Sequence, residues 1–323
     1  MTKQQLAVRF DEQFAQDVLR GLASEPQKWL SAQYFYDEVG SALFEAITAL
    51  PEYGLTRADS RLLRQHAGEM IGFRPEPLHM VELGSGSGAK TRWLLEAETA
   101  RHGGARYTAI DVSAAALEAC RAALGRLPEI EIKTEQSTYL DGVRAALRNR
   151  RPSEQVLVLF LGSTIGNFPL PDAVQLLIEL RGALRVGDGL LLGTDLIKPV
   201  DQLLLAYDDP AGVTAAFNRN LLAHINRELR ADFDLRSFEH EVRFDPEASR
   251  IEMHLRSVQP QTVWIEALDR TFRFEAGETI WTESSRKFTL DSVRQLAAAS
   301  GFECRRQWVD SEWPFAESLL IAE

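Results

Sequence analysis

The chain has 323 residues, 45% of them apolar, enough for one large or two ordinary packed domains. Its net charge of −11, with no Lys/Arg run, excludes a nucleic-acid backbone as an expected partner. Cys120 and Cys304 lie too far apart in sequence to imply a zinc site or disulfide framework and read as reduced thiols. No apolar run approaches a membrane span, and Met1–Arg20 carries acids and lacks the apolar core of a signal peptide, so a cytoplasmic location is expected.

Val8, Phe14, Val18 and Leu22 fall near helical spacing and predict an amphipathic helix over 7–22. Tyr34-Phe35-Tyr36-Asp37 follows, then a helix over 41–50 that Pro51-Glu52-Tyr53-Gly54 breaks. From Leu78 the chain alternates. Strands are predicted at 78–83, 107–111 and 130–134, separated by helices at 90–101 and 113–125. Val156 to Phe160 is wholly apolar, as suits a central parallel strand covered on both faces. A helix at 171–185 and a strand at 190–194 complete the series, which predicts an α/β fold with a doubly wound sheet and ligands at the carboxyl ends of its strands.

After Asp195 the rhythm changes. A helical stretch is predicted over about 200–230, with Tyr207-Asp208-Asp209-Pro210 inside it. Phe238, His240, Val242 and Phe244 then alternate with charged residues, as do Ile251, Met253 and Leu255, predicting two half-buried antiparallel strands. Further strands are expected at 262–266 and 270–275. Thr289 is a candidate cap for a helix at 290–299, and strands at 302–308 and 317–322 would form an antiparallel edge. The six His residues lack metal-ligand spacing, and Asp208 and Asp209 read as capping or solvated acids rather than a catalytic pair.

The chemistry concentrates in Glu82-Leu83-Gly84-Ser85-Gly86-Ser87-Gly88-Ala89-Lys90, which closes a strand and opens a helix. Glycines there allow a tight turn and close approach of the backbone to a ligand. A helix start offers free N–H groups to an anion. The spacing is not the dinucleotide G-x-G-x-x-G, which disfavours a nicotinamide oxidoreductase. Tyr107 to Asp111 reads as the next strand ending in an acid, suited to both hydroxyls of a ribose. The glycine loop alone is weak evidence, since some such loops are only structural turns. With the strand-end acid it resembles the S-adenosylmethionine-dependent methyltransferases.

Longer motifs sharpen this. They are Tyr36-Asp37 with Gly40-Ser41 and Leu43-Phe44, Pro51-Glu52-Tyr53 with Thr56-Arg57, and Lys90-Thr91-Arg92. Gly162-Ser163-Thr164-Ile165-Gly166-Asn167-Phe168, Asp195-Leu196 with Lys198, and Tyr207-Asp208-Asp209 with Thr214 follow. The set closes with Phe217-Asn218, Asn220-Leu221, and Thr282-Glu283 with Ser285 and Lys287-Phe288. With these the chain resembles, over nearly its whole length, the histidine N-alpha-methyltransferases of ergothioneine biosynthesis, which trimethylate L-histidine to hercynine. The resemblance implies a Rossmann-like class I methyltransferase domain, drawn at 61–195 plus 287–323, with an antiparallel edge to its sheet. It also implies a smaller α+β substrate domain, drawn at 1–60 plus 196–286, with the substrate between the two.

By the same resemblance, Asn167 and Tyr207 hold the substrate carboxylate, and Gly162 and Thr214 lie near its α-amino group. Tyr53, Glu283 and Ser285 surround the imidazole, with Tyr36, Phe217 and Met253 close by. Gly84, Gly86, Lys90 and Asp111 match the donor site. Ser137-Thr138-Tyr139 stands where family members carry Gly-Asp before an aromatic, so Thr138 is expected to reach the adenine region through its hydroxyl, with Tyr139 beside it. No metal is expected, because a sulfonium is already an activated methyl donor, and a monomer is expected. The alternatives are a relative acting on another amino acid or on an imidazole nitrogen of a thiol-histidine, and a module that only senses the donor. No residue stands out as a general base, and the ammonium proton is expected to leave through water.

Overall fold

The computed structural model describes residues 3–127, 129–148 and 150–323, with side chains from Glu12 onward. In chain order these form α1 (Lys3–Leu22), β1 (Lys28–Trp29), α2 (Glu38–Ala49), α3 (Leu55–Ile71), β2 (Leu78–Leu83), α4 (Arg92–His102), β3 (Ala105–Asp111), α5 (Ala114–Leu124), β4 (Ile130–Gln136) and α6 (Tyr139–Leu147). Then come β5 (Gln155–Phe160), α7 (Leu170–Ala183), β6 (Gly189–Asp195), α8 (Val200–Tyr207), α9 (Val213–Leu229), β7 (Phe238–Asp245), β8 (Arg250–Ser257), β9 (Gln261–Ile265) and β10 (Arg270–Phe274). The chain ends with β11 (Thr279–Arg286), α10 (Leu290–Ala299), β12 (Phe302–Val309) and β13 (Phe315–Ala322). The backbone divides into two compact units, one of residues 54–198 with 286–323, the other of residues 1–53 with 199–285.

The first unit is built on a sheet ordered β12-β13-β6-β5-β2-β3-β4. Strands β2 to β6 run parallel, and β13 and β12 add an antiparallel edge. The fold is therefore α/β with a mostly parallel sheet. The central strands are buried on both faces, and one core cluster joins Val81, Val158, Phe160, Leu190 and Leu192 to Leu177 of α7 and Val293 of α10. The strand order reverses between β2 and β5, and the loops leaving these two strands carry Gly84–Lys90 and Gly162–Asn167. A switch point of this kind is where open α/β sheets bind ligands.

The second unit holds a sheet ordered β1-β11-β8-β7 and a separate β9–β10 hairpin. The β7–β8 pairing follows the predicted alternation, with Val242 opposite Met253. α9 packs against α2 and the β7–β8 strands. Phe35 stacks on Phe217 at 4.5 Å between ring centroids.

The structure differs from the sequence reading at three points. The stretch 200–230 is two helices, not one: Pro210 and the left-handed Gly212 interrupt it, and Asp209 caps α9 by accepting from the Val213 and Thr214 N–H groups at 3.0 and 2.7 Å. Helices α3 and α6 lie in stretches for which no element was predicted. A division at 60/61 would cut α3, which belongs whole to the sheet unit. The strands expected at 262–266 and 270–275 are present as β9 and β10, which pair with each other. Of the residues behind the first predicted helix, Val8 lies outside the described side chains, while Phe14, Val18 and Leu22 are buried.

Candidate active site

The glycine loop takes its shape from residues with no β-carbon. Gly84, Gly86 and Gly88 all have positive φ, at 66°, 51° and 65°. A β-carbon on Gly86 would meet nothing within 4 Å, so the loop leaves open space there. The Gly86 N–H donates to Asp111 Oδ2 at 3.1 Å, tying the loop to the end of β3. Asp111 Oδ1 accepts from the Ser113 N–H at 2.9 Å. Burial raises the Asp111 carboxyl, and these backbone donors oppose the rise. Tyr139, at the start of α6, lies edge-on to Phe160 at 5.4 Å, and its hydroxyl sits 3.5 Å from where a Gly84 β-carbon would be. Thr138 is exposed, and its hydroxyl donates to Asp141 Oδ2 at 3.2 Å. The cradle thus combines backbone donors, a strand-end carboxylate and an aromatic, a set that fits a nucleoside carrying an amino-acid tail.

Beneath the loop the polar groups are buried. Glu82 accepts from the Thr91 hydroxyl at 2.7 Å and from the Tyr107 hydroxyl. Burial pushes Glu82 up to about 7 even with those donors in place. The Lys90 ammonium pairs with Asp59 on α3. Burial works against the Lys90 charge, but the Asp59 carboxylate outweighs it and holds the ammonium above its usual value. Asp59 Oδ2 also accepts from the Gly162 N–H at 3.1 Å. Gly162 and Ser163 both adopt positive φ, and the Ser163 hydroxyl accepts from the Asp195 N–H at 2.9 Å. This turn leads into a single turn of 3-10 helix, Thr164–Asn167, which carries Asn167.

In the second unit, β11 is extended, so Glu283 and Ser285 share a face. The Tyr207 hydroxyl, at the end of α8, donates to Ser285 Oγ at 2.8 Å. Tyr53 meets Tyr207 edge-on at 6.2 Å, and Tyr36 meets Phe217 edge-on at 6.0 Å. Thr214 is buried in the first turn of α9. Thr282 donates to Asn218 Oδ1 at 2.7 Å and to the Met253 carbonyl at 3.0 Å, which locks β11 to α9 and β8. Asn218 Nδ2 donates in turn to His240 Nδ1 at 2.9 Å and to the His254 carbonyl at 3.0 Å. His240 Nε2 donates to the Tyr207 carbonyl at 2.8 Å. His240 is thus a structural link, neutral with its proton on Nε2. Among the described residues no group of His, Cys, Asp or Glu could hold a metal ion.

A family model described as histidine-specific, S-adenosylmethionine-dependent methyltransferase matches residues 14–322. The chain belongs to this family. It is 45% identical to the histidine N-alpha-methyltransferase of Mycobacterium tuberculosis over 94% of its own length and 93% of that protein. It is 43% identical to the enzyme of the same name from Mycolicibacterium smegmatis, over 96% and 95% of the two chains. It is 30% identical to ergothioneine biosynthesis protein 1 of Neurospora crassa over 84% of its own length, matching 31% of that longer protein.

Sequence reasoning left three parts of this methyltransferase unassigned. Asp59 lies on α3, where Leu55, Ala58, Leu62, Leu63, Ala67, Met70 and Ile71 fall at helical spacing, a local signal that the sequence reading passed over. The Asn218–His240–Thr282 link joins residues 22 and 64 positions apart, a connection without periodicity. Glu317 is buried within β13, and an acid in so apolar a strand is the one local signal that could have revealed it.

Proposed function

We propose that the chain transfers three methyl groups in succession from S-adenosylmethionine to the α-amino nitrogen of L-histidine, giving hercynine, and acts as a cytoplasmic monomer. The observation that carries this reading is the pairing on β11, in a member of the histidine-specific family. Glu283 shares a face with Ser285, and Ser285 receives the Tyr207 hydroxyl. A carboxylate and a hydroxyl so placed answer the two nitrogens of an imidazole, one accepting an N–H and the other donating. Tyr36, Tyr53, Phe217 and Met253 would wall the ring. Tyr207 and Asn167 would receive the substrate carboxylate, and Thr214 and Gly162 would lie near its amine.

The donor residues are Gly84, Gly86, Lys90, Asp111, Thr138 and Tyr139, with Asp111 accepting from the ribose hydroxyls. S-adenosylmethionine supplies the activated methyl. The protein must align the amine and bind it neutral. An α-amino group has a pKa of roughly 8, so a fraction is neutral at pH 7. Orientation alone can lower such a barrier by roughly 7–11 kcal/mol. Each transfer forms an N–C bond and breaks the S–C bond. The first two products each lose a proton before they can react again, and the third transfer leaves a quaternary nitrogen with none to lose.

The test is mass spectrometry of the protein incubated with S-adenosylmethionine and each of the twenty amino acids. Three added methyl groups on histidine, on the α-nitrogen by fragmentation, are expected. A product on another amino acid or on a ring nitrogen would overturn the acceptor assignment. Glu283→Ala is expected to raise the KM for histidine by about 10–100-fold, the loss of a hydrogen bond to a charged group, and to leave that for S-adenosylmethionine unchanged. Equal effects on both would remove Glu283 from the imidazole site.

A further inference from the structure

Glu317 is fully buried in β13, and neither of its carboxyl oxygens meets a hydrogen-bond donor among the described residues. Asp59, also fully buried, is satisfied on one side only. Its Oδ2 accepts from the Gly162 N–H and Lys90, while its Oδ1 meets no donor. Glu317 Oε1 and the Gly162 nitrogen that serves Asp59 flank the same position in the sheet, and the Asp59 charge acts on the Glu317 carboxyl. Gly193, opposite Glu317 in the sheet, makes the room: a β-carbon there would sit 2.7 Å from Glu317 Oε1 and 3.1 Å from the Gly162 nitrogen.

Two ionised carboxylates cannot share a dry site without a large electrostatic cost. One proton resolves both unsatisfied groups. We propose that Glu317 is a neutral carboxylic acid donating its proton to Asp59 Oδ1, and that Asp59 so held is the positioning residue that sets Lys90 and the Gly162 backbone at the donor site. This rests on the donor-site reading above. Asp59 then has three donors, one each from β13, the loop after β2 and the loop after β5. Burial first, and the Asp59 charge second, push Glu317 well above the usual carboxyl range.

The charged groups around Glu317 are Asp59 from α3, Lys90 from the glycine loop and Glu82 from β2. Further along β6, Asp195 is neutralised by Lys198 and Lys287. On β12, Arg306 pairs with Glu69 of α3, and beyond the strand Asp310 pairs with Arg61 of α3. None of these supplies Glu317 with a second cation.

The test compares wild type, Glu317→Gln and Glu317→Ala from pH 5 to pH 9 by thermal unfolding and by titration with S-adenosylhomocysteine. A carboxyl raised in the folded state holds a proton the unfolded chain has lost, so stability falls as pH climbs from the unfolded value of about 4.3 toward the folded one. Gln does not titrate, and its amide N–H replaces the acid proton. Glu317→Gln is therefore expected to match wild type in Tm at pH 5 and to exceed it increasingly toward pH 9, with ligand affinity retained. Glu317→Ala is expected to weaken the ligand by about tenfold. A Tm difference that does not widen with pH would overturn the shared proton. Glu317→Gln losing as much affinity as Glu317→Ala would show that the ionised carboxylate is needed, which also overturns it. If wild type binds no S-adenosylhomocysteine, the donor-site reading falls and the positioning role with it, while the unfolding series still decides the proton.

Discussion

The two units put polar groups to work in opposite ways. In the sheet unit most of the residues proposed for the donor come from two short stretches, Glu82–Lys90 and the end of β3, with Thr138 and Tyr139 at the head of α6, and glycine conformation shapes the loop. In the other unit Tyr207, Asn218, Met253 and Ser285 come from α8, α9, β8 and β11 and are joined through His240 and Thr282 by a chain of hydrogen bonds. A nucleoside with an amino-acid tail can be held largely by backbone groups, and a backbone cradle is written in local sequence. An imidazole needs side chains at fixed separations, and those are assembled from distant parts of the chain. The difference teaches that donor and acceptor recognition should fail separately when each is damaged.

The largest expected effect tests how far the sheet unit depends on buried charge. Asp195 accepts from Lys198 at 2.6 Å, Lys287 at 2.9 Å and the Trp313 indole N–H at 3.0 Å, all buried. Asp195→Ala leaves two buried ammonium groups short of their counter-charge and is expected to cost about 3–5 kcal/mol in urea unfolding. A cost under about 1 kcal/mol would show that the lysines find other compensation.

A second effect, also of the sheet unit, appears only in acid. His79 is fully buried in β2, with Nε2 against the Thr108 hydroxyl at 2.9 Å. Burial first, and the Arg106 charge second, push it down to about 4. The unfolded chain binds a proton on this residue between about pH 6.5 and 4 that the folded chain does not, so stability falls as pH drops through that window. The expected loss is about 3 kcal/mol by pH 4 at 1.36 kcal/mol per unit. His79→Gln should flatten this part of the pH–stability curve, and an unchanged slope would assign it to other groups.

The smallest effect is the sharpest test of the contrast. Asn218→Ala removes the centre of the hydrogen-bond network behind the proposed acceptor residues and is expected to cost about 1–3 kcal/mol of stability. It should raise the KM for histidine several-fold and leave S-adenosylhomocysteine affinity unchanged, measured by initial rates and calorimetry. An equal loss on both sides would mean that the two sets of groups are energetically one.

Much of the sheet unit was legible beforehand. The apolar strands 78–83 and 156–160 and the glycine loop are local patterns, and Thr289 caps α10 with Ser292 reciprocating, so that helix spans the predicted 290–299. Amino-acid order alone determined the strand–helix alternation, the donor loop and Asp111, because each depends on residues within one turn or one strand of each other. Tertiary structure alone decided the rest. It brought Asp59 to Lys90, 31 positions on, and to Glu317 at the far end of the chain. Buried polar partners are chosen by proximity in the folded core, where an unmet charge is costly, and that choice leaves no periodic trace in the order of residues.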